Sequence, residues 1–305
     1  MMGAPALLDA QGRGGPSASA RTTIHGVDFT SAPTARKPIT IASGTWADDA
    51  LQVECIDGLR DFAAFESWLT VPGPWIGAFD FPFGLPRELV CTLGWPLERD
   101  ARGSAWERVV ATLMADTRKQ LIARLRAFCD ARPAGGKFAH RATDRPAGSS
   151  PSMKWVNPPV ALMLHAGAPR LMASGVHIPG LRAGDAGRVA LEGYPGLLAR
   201  AIVGRRSYKS DDRARQTGER LTAREAIVGA IESGRHPLGL RVRLSAALRE
   251  RCVADPTGDR LDAVLCAMQA AWAWQRRDLG YGLPEGIDPI EGWIVTAGHA
   301  DTPEA

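Results

Sequence analysis

Cysteine is scarce in this sequence, and its few occurrences follow no recognisable pattern. The 305 residues include five cysteines, an odd number. They are scattered without a CxxC pair, at Cys55, Cys91, Cys129, Cys252 and Cys266. Neither a disulfide framework nor a thiolate zinc site is predicted from this spacing. Reduced thiols are typical of a cytoplasmic protein.

The short motifs that mark common enzyme classes are missing as well. The chain has no GxxxxGK[ST] phosphate loop, no GxGxxG, no GxSxG and no HExxH, and its six histidines are dispersed. These motifs mark nucleotide-binding loops, serine hydrolases and zinc proteases. Their absence disfavours those enzyme classes.

Long apolar runs are also missing. No segment reaches the roughly 20 uninterrupted apolar residues of a membrane span, and the N-terminus lacks the regions of a signal peptide. We therefore expect a cytoplasmic protein with no membrane partner. Residues 1–20, rich in Gly, Ala, Ser and Pro, are predicted to form a flexible tail, and residues 21–305 a single domain.

What the chain does contain is enough apolar material for a core, since 45% of its residues are hydrophobic. A formal net charge of +4 permits a polyanionic partner such as nucleic acid but does not require one.

Five segments have the composition of β-strands. The first three begin at Thr22, Lys37 and Leu51 and are separated by turn-prone residues, which predicts an antiparallel meander. The fourth lies in "PWIGAFDFPFGLP", where Pro82 ends the strand because it lacks a backbone donor. The fifth is "GRVALEGYPG", around Glu192.

Helical spacing follows the third strand and closes the chain. "DFAAFESWLTV" predicts a helix capped by Asp61, and a capping box at Ser104 and Glu107 predicts a longer helix that fades at Pro133. "GDRLDAVLCAMQAAWAWQRR" predicts a closing amphipathic helix. The fold class is therefore α/β, a mixed five-stranded sheet flanked by helices. Two insertions are expected: a helical and irregular one between strands 4 and 5, at about 96–185, and another at about 205–255.

Four acidic residues occur where this order of elements would bring them together. Asp28 lies in the first strand, Asp80 closes the fourth, Glu192 closes the fifth, and Asp262 opens the last helix. If the first and fourth strands are adjacent, Asp28 and Asp80 face the same place. Asp80 follows a strand that is apolar on both faces, where an unpaired carboxylate is costly.

A divalent cation would remove the conflict between these carboxylates. Acids brought together raise each other's pKa unless a cation intervenes. Mg²⁺ or Mn²⁺ takes oxygen ligands, and a pair of such ions can stabilise both the attacking and the leaving oxygen of a phosphodiester displacement. The pattern predicts a Mg²⁺ or Mn²⁺ site.

Each acid also has an ordinary structural explanation. Asp28 could follow the strand into a turn, and Asp80 could cap the "PFG" turn. Glu192 could pair with an arginine, and Asp262 could be a first-turn helix acid. Four acids in one topological order favour the site. Glu66, on the first helix, is a further candidate, although a solvated position explains it more simply.

Two basic stretches are candidate phosphate contacts, because phosphate binding uses such side chains. They contain Arg124, Arg126, Arg132, Lys137, Arg141 and Arg145, and then Arg205, Arg206, Lys209, Arg213, Arg215 and Arg220. The second stretch also holds acidic residues, so a solvated charged face is the simpler explanation for it.

Six motifs occur in one order over nearly the whole chain after residue 20: "GVDFTSAP", "FDFPFGLPRELV", "NPPVALMLHAGAPRL", "LEGYPGLLAR", "SYKSDD" and "DRLDAVLCAMQAAWA". With them the sequence resembles a family catalogued as domain of unknown function 429, predicted nucleases of the ribonuclease H-like superfamily. "DFPFGLPREL" and "EGYPG" are the most specific of these pieces. "GVDF" and "LDA" gain force from their order.

The resemblance implies a ribonuclease H-like core with Asp28, Asp80 and Asp262 at the positions of the superfamily's metal ligands. Three further residues are similar to family positions near the same cleft: Glu192, Arg87 and Lys209. The sequence departs from ribonuclease H proper in the first helix, where only Glu66 could match that enzyme's acid. This departure puts a second metal in doubt.

These observations together predict a divalent-metal-dependent nuclease, a hydrolase that acts on nucleic acid. Asp28 would bridge the metals, Asp80 and Asp262 would complete the sites, and Glu192 would bind a metal or orient water. Arg87 and Lys209 would steady the phosphate. Two alternatives remain: a non-catalytic ribonuclease H-like scaffold, and an ATP-dependent phosphotransferase, since "DFTSAPTARK" faintly resembles a phosphate loop of actin-like kinases.

Overall fold

Seven strands form one mixed sheet within residues 21–97 and 103–299, the residues that the computed structural model describes. The predicted tail at residues 1–20 lies outside this range. The strands are β1 (Thr23–Asp28), β2 (Ile39–Ala47), β3 (Ala50–Leu59), β4 (Trp75–Phe79), β5 (Val176–His177), β6 (Asp185–Glu192) and β7 (Arg241–Arg243).

The strand order across the sheet is β5-β6-β4-β1-β2-β3-β7. β1, β2 and β3 form the predicted antiparallel meander, and β4 and β6 run parallel to β1. All five predicted strands are present, but the predicted number of strands was wrong. β5 and β7, of two and three residues, lie at the two edges and are too short to show a hydrophobic alternation.

Helices cover both faces of the sheet. The first face carries α1 (Phe62–Leu69), α2 (Arg87–Thr92), α3 (Ala105–Ala115), α4 (Arg118–Asp130) and α6 (Val160–Ser174). The second face carries α7 (Pro195–Val203), α8 (Gly218–Ser233), α9 (Ala246–Ala254) and α10 (Asp259–Gln275). The short helix α5 (Asp144–Ala147) packs apart from both main clusters. None of the helices in this part of the chain is long and apolar enough to cross a membrane.

The helix predicted from Ser104 to about Pro133 is two helices, so this prediction was wrong in its length. The capping box at Ser104 and Glu107 is present, but Asp116 leaves the helical conformation with ψ 134°. Thr117 then begins α4 with a capping box of its own. Apolar residues recur at helical spacing on both sides of this break, which is why the pattern did not reveal it.

A glycine in β1 allows α10 to lie directly on the sheet. A methyl group on Gly26 would overlap the carbonyl oxygen of Ala263 and the amide nitrogen of Ala267. Because side chains alternate along a strand, Asp28 points to the same face as Gly26, toward α10. The close approach therefore sets the first turn of α10 beside the end of β1.

Candidate active site

The carboxyl ends of three parallel strands form one edge of the site. Val27 of β1 is in register with Phe79 of β4, which is in register with Glu192 of β6. Asp28 and Asp80 are the next residues along β1 and β4, and the Asp80 amide donates to the Val27 carbonyl at 2.8 Å. The two aspartates are therefore neighbours, as the sequence predicted.

A cleft of about 550 Å³ opens at this edge. Its acidic wall includes Asp28, Asp80, Glu192 and Asp259, with Lys209 beside them. The remaining lining includes apolar side chains, among them Phe81, Pro158, Pro159, Val160 and Met163. This volume is within the usual range of small-ligand sites.

The carboxylates of Asp28 and Asp80 have no hydrogen-bond donor among the described residues that would stabilise their charge. Burial raises the pKa of Asp28 well above its ordinary value, and Asp262, Asp259 and Asp80 raise it further, while Lys209 lowers it. Burial likewise raises the pKa of Asp80 to about 7, with Lys209 opposing and Asp262 adding to the effect. The protonated forms of Asp28 and Asp80 are therefore favoured, because Lys209 does not balance the charge of all the acids at this edge.

Asp262 meets the same group of acids from the first turn of α10, and it is fully buried. Its Oδ1 accepts a hydrogen bond from the Tyr208 hydroxyl at 2.6 Å, and its Oδ2 accepts one from the Lys209 ammonium. Both oxygens are thus engaged by protein groups. The sequence predicts Asp262 as a metal ligand, and in the structure it is the hydrogen-bond partner of Tyr208 and Lys209.

Lys209 forms an ion pair with Asp262, and its side chain is 41% exposed because it lines the cleft. Burial alone lowers the pKa of Lys209, but Asp262, Tyr208, Asp28 and Asp80 reverse this effect and hold it well above the ordinary value. The lysine is therefore charged. We call the group Asp28, Asp80, Asp259, Asp262 and Lys209 the open cluster.

Glu192 lines the cleft but is neutralised by Arg141, whose side chain is only 1% exposed. Arg141 Nη2 and Nη1 lie 2.6 and 2.7 Å from the two Glu192 oxygens, and the Phe83 amide donates to Glu192 at 2.9 Å. Arg141 also donates to Asp144 and, at 2.9 Å, to the carbonyl oxygen of Glu291. We call Arg141, Asp144 and Glu192 the closed cluster. The simpler explanation of Glu192, pairing with an arginine, describes what the structure shows.

Two residues considered from the sequence lie outside the cleft lining. Arg87 Nη2 donates to Asp288 at 2.9 Å, and the Arg87 amide donates to Glu291 at 2.7 Å. Glu66 pairs with Arg170 at 2.9 Å on the α1 side of the sheet. Arg87 thus joins α2 to the 288–291 segment, and Glu66 is part of a surface ion pair.

Sequence reasoning missed three members of this region. Arg141 was grouped with candidate phosphate contacts, and Tyr208 was not assigned to the site. Asp259 was not considered, although its spacing of three residues from Asp262 on a helix places the two on neighbouring surface positions. That spacing is the one signal that could have identified it.

The arrangement fits a divalent ion held by few protein ligands. No three His, Cys, Asp or Glu side chains within residues 21–97 and 103–299 are placed to hold a metal by themselves. Mg²⁺, however, is usually bound by one or two carboxylates, together with water and substrate phosphate. Asp28 and Asp80, which face the cleft without a donor from residues 21–97 or 103–299, supply such a pair.

No protein-family model, curated protein or solved structure matches this chain. The resemblance drawn from its motifs therefore has no support from a matched relative. Function has to be inferred from the chemistry of the cleft itself.

Proposed function

We propose that this protein is a divalent-metal-dependent nuclease with a ribonuclease H-like fold. The fold proposal is supported by the sheet, in which a three-stranded meander is followed by β4 beside β1 and β6 beside β4. It is also supported by α10, which closes the order of elements and lies across β1. The sequence predicted the order of these five strands and the closing helix along the chain, but not that β6 lies beside β4.

The observation that carries the functional proposal is the state of Asp28 and Asp80. Two adjacent carboxylates face a cleft, have no protein donor among the described residues, and have raised pKa values. Such a pair does not stabilise the fold, because buried acids without a partner lower the free energy of unfolding. A bound cation would stabilise both.

The residues of the cleft suggest distinct roles in phosphodiester hydrolysis. Asp28 and Asp80 would hold Mg²⁺ or Mn²⁺, which when bound polarises a phosphoryl oxygen and activates water. Lys209 would neutralise charge on the phosphate. In the reaction, the water oxygen bonds to phosphorus, the ester P–O bond breaks, and the proton from water ends on the departing oxygen.

The apolar lining gives a second kind of contact to a nucleic-acid substrate. Pro159, Val160 and Met163 lie in the same cleft as the acids and are accessible from it. Phe81 also borders the cleft, but it is only 2% exposed and belongs to the core. Accessible apolar side chains of this kind can pack against the apolar faces of unpaired bases. The cleft is therefore suited to a strand whose bases are accessible.

Nucleic-acid cleavage tests the proposal directly. Wild type should cleave single- or double-stranded DNA or RNA in the presence of Mn²⁺ or Mg²⁺. Asp28→Asn and Asp80→Asn should each lower the rate about 100-fold or more, because each removes a charged ligand. Asp48→Asn is a matched control, since Asp48 is exposed and lies on the β2–β3 turn.

Two results would overturn this function: cleavage that persists unchanged in Asp28→Asn, or no cleavage with any metal and nucleic acid tested. Absence of cleavage together with metal-independent nucleic-acid binding would favour the scaffold alternative. Metal-dependent hydrolysis of ATP without nucleic-acid cleavage would favour the phosphotransferase.

A further inference from the structure

The backbone around Lys209 is held at three successive residues. Arg224 Nη1 donates to the Tyr208 carbonyl at 2.7 Å, and Arg220 donates to the Lys209 carbonyl. The Ser210 amide donates to the Pro256 carbonyl at 3.0 Å. The segment is thus fixed between α8 and the loop before α10, unlike an ordinary surface lysine.

The Lys209 side chain is directed by a glycine. Gly258, which precedes α10, has φ 79°, a conformation that favours glycine. A Cβ at this position would lie 2.8 Å from Lys209 Cβ and 3.0 Å from Lys209 Cδ. The lysine stem therefore lies against the bare backbone of Gly258, which directs its ammonium group to the start of α10.

At that point the ammonium group occupies a position between acids. It donates a hydrogen bond to Asp262 Oδ2, and its positive charge is also attracted to Asp28 and Asp80. With Tyr208 on Oδ1, Asp262 has a protein partner on each oxygen. A metal could bind Asp262 at this face only by displacing the lysine.

Lys37 provides a contrast within the same cleft. Lys37 Nζ forms an ion pair with Asp211 Oδ2 at 2.7 Å, and the two side chains are 48% and 69% exposed. Such an exposed pair contributes little and rearranges easily. Lys209, with a fully buried partner and a fixed backbone, is built into the site, whereas Lys37 lies at its rim.

We propose that Lys209 takes the place of a second divalent ion, so that the open cluster binds one metal, at Asp28 and Asp80. This inference rests on the proposed function and specifies it further. The lysine ammonium would neutralise the side of the phosphate that faces Asp262. Asp262 and Tyr208 are positioning residues, because they act on the substrate through Lys209.

The stoichiometry of Mn²⁺ binding, measured by isothermal titration calorimetry on the metal-free full chain, tests this proposal. Wild type should bind about one ion per chain, with Asp28→Asn and Asp80→Asn binding none. Lys209→Met, which keeps the length of the side chain but removes its charge, should bind about two, because Asp262 becomes free. Lys119→Met is the matched control and should bind about one, since Lys119 is exposed on α4 and does not line the cleft.

Asp262→Asn provides a second, independent arm if Lys209→Met does not fold. It should keep about one ion, because Asp262 is not a ligand in this proposal. Loss of the ion in Asp262→Asn would overturn the proposal, as would two ions in wild type or unchanged binding in Lys209→Met. Those results would leave the metal-dependent function standing. Wild type that binds no ion would defeat both the function and this inference.

Discussion

The closed and open clusters lie at the same edge of the sheet, yet they differ in how their charges are balanced. In the closed cluster, Arg141 pairs with two acids, and the Phe83 amide also donates to Glu192. In the open cluster, four acids share the charge of Lys209, with Lys37 acting on Asp259 from the rim, and Asp28 and Asp80 have no donor among the described residues. Each cluster contains a carboxylate at the end of an apolar strand, Asp28 at the end of β1 and Glu192 at the end of β6.

The difference separates acids that maintain the fold from acids that are available for chemistry. Glu192 and Asp144 are buried with their partner already present. Asp28 and Asp80 face a cleft, and no donor among the described residues reaches their carboxylates. Burial raises the pKa of Glu192 too, so the presence of a partner is what distinguishes the two groups. A missing partner, rather than burial alone, marks a candidate ligand.

Removing the cation of the closed cluster should have the largest effect on stability. Arg141→Met leaves Glu192 and Asp144 buried and unpaired, which should lower the free energy of unfolding by about 3–5 kcal/mol. Urea denaturation measures this change. Arg145→Met, at an exposed position four residues later, should change it by less than about 0.5 kcal/mol. Equal effects of the two substitutions would contradict the distinction between the clusters.

Removing an acid of the open cluster should have the opposite sign. The pKa of Asp80 is about 7 in the fold and near 3.8 when unfolded. Between about pH 4 and 7 the Asp80 carboxyl is therefore ionised in the unfolded chain but still protonated in the folded one. Because the unfolded state binds fewer protons, the free energy of unfolding of wild type falls as the pH rises over this range. Without metal, Asp80→Asn should be more stable than wild type by about 2–4 kcal/mol at pH 8, relative to the difference at pH 4.

Urea denaturation in a chelating buffer at several pH values measures that difference. Asp48→Asn should show no comparable change with pH. A difference between Asp80→Asn and wild type that stays constant from pH 4 to 8 would contradict the unbalanced charge assigned to the open cluster.

Saturation with metal should then offset most of the advantage of the substituted protein. At about 100 times the dissociation constant, Mn²⁺ should stabilise wild type by roughly 2.7 kcal/mol, because it binds the folded state. Asp28→Asn should gain nothing, while Asp48→Asn should gain as much as wild type. Thermal unfolding with and without Mn²⁺ provides the test, and equal gains in all three proteins would exclude a metal at Asp28.

His25 offers a smaller effect that sharpens the pH comparison, because it titrates in the opposite sense. Burial lowers its pKa to about 4 from 6.5. Its contribution to stability is present above pH 6.5 and is lost as the pH falls toward 4. Relative to His25→Gln, wild type should lose about 2 kcal/mol over this range. A pH-independent difference between the two proteins would show that His25 does not titrate in this way.

The smallest expected change concerns Asp262, the open-cluster acid whose oxygens are both engaged. Tyr208→Phe removes one hydrogen bond to this buried carboxylate and should cost about 1.5 kcal/mol. Tyr281→Phe is the control, since Tyr281 is only partly buried. A loss no larger than that of the control would show that Lys209 alone satisfies Asp262.

The pairing of Asp28 with Asp80 was accessible from the sequence because it depends on local patterns. Two apolar strands each end in an acid, and adjacent parallel strands end at the same edge. The N-cap Asp61 and the capping box at Ser104 are also local, and both are present. The break at Asp116 was missed because the apolar spacing continues beyond it.

The partners of Arg141 and Arg87 were not accessible in the same way. Glu192 lies 51 residues from Arg141, and Asp288 lies 201 residues from Arg87. A basic residue in a polar stretch has the same local pattern whether it is solvated or buried. Only the packing of distant segments decides which acid each arginine meets.

The bond from Arg141 to the carbonyl oxygen of Glu291 has a consequence for how the protein is made. The two residues are 150 positions apart, so at about 5–20 residues per second the ribosome adds Glu291 roughly 7–30 s after Arg141. Over that interval the guanidinium cannot be fully enclosed, and the nascent chain keeps this part of its interior hydrated. Full enclosure of the Arg141 guanidinium is therefore a late event in biosynthesis, after every strand of the sheet described above has been synthesised.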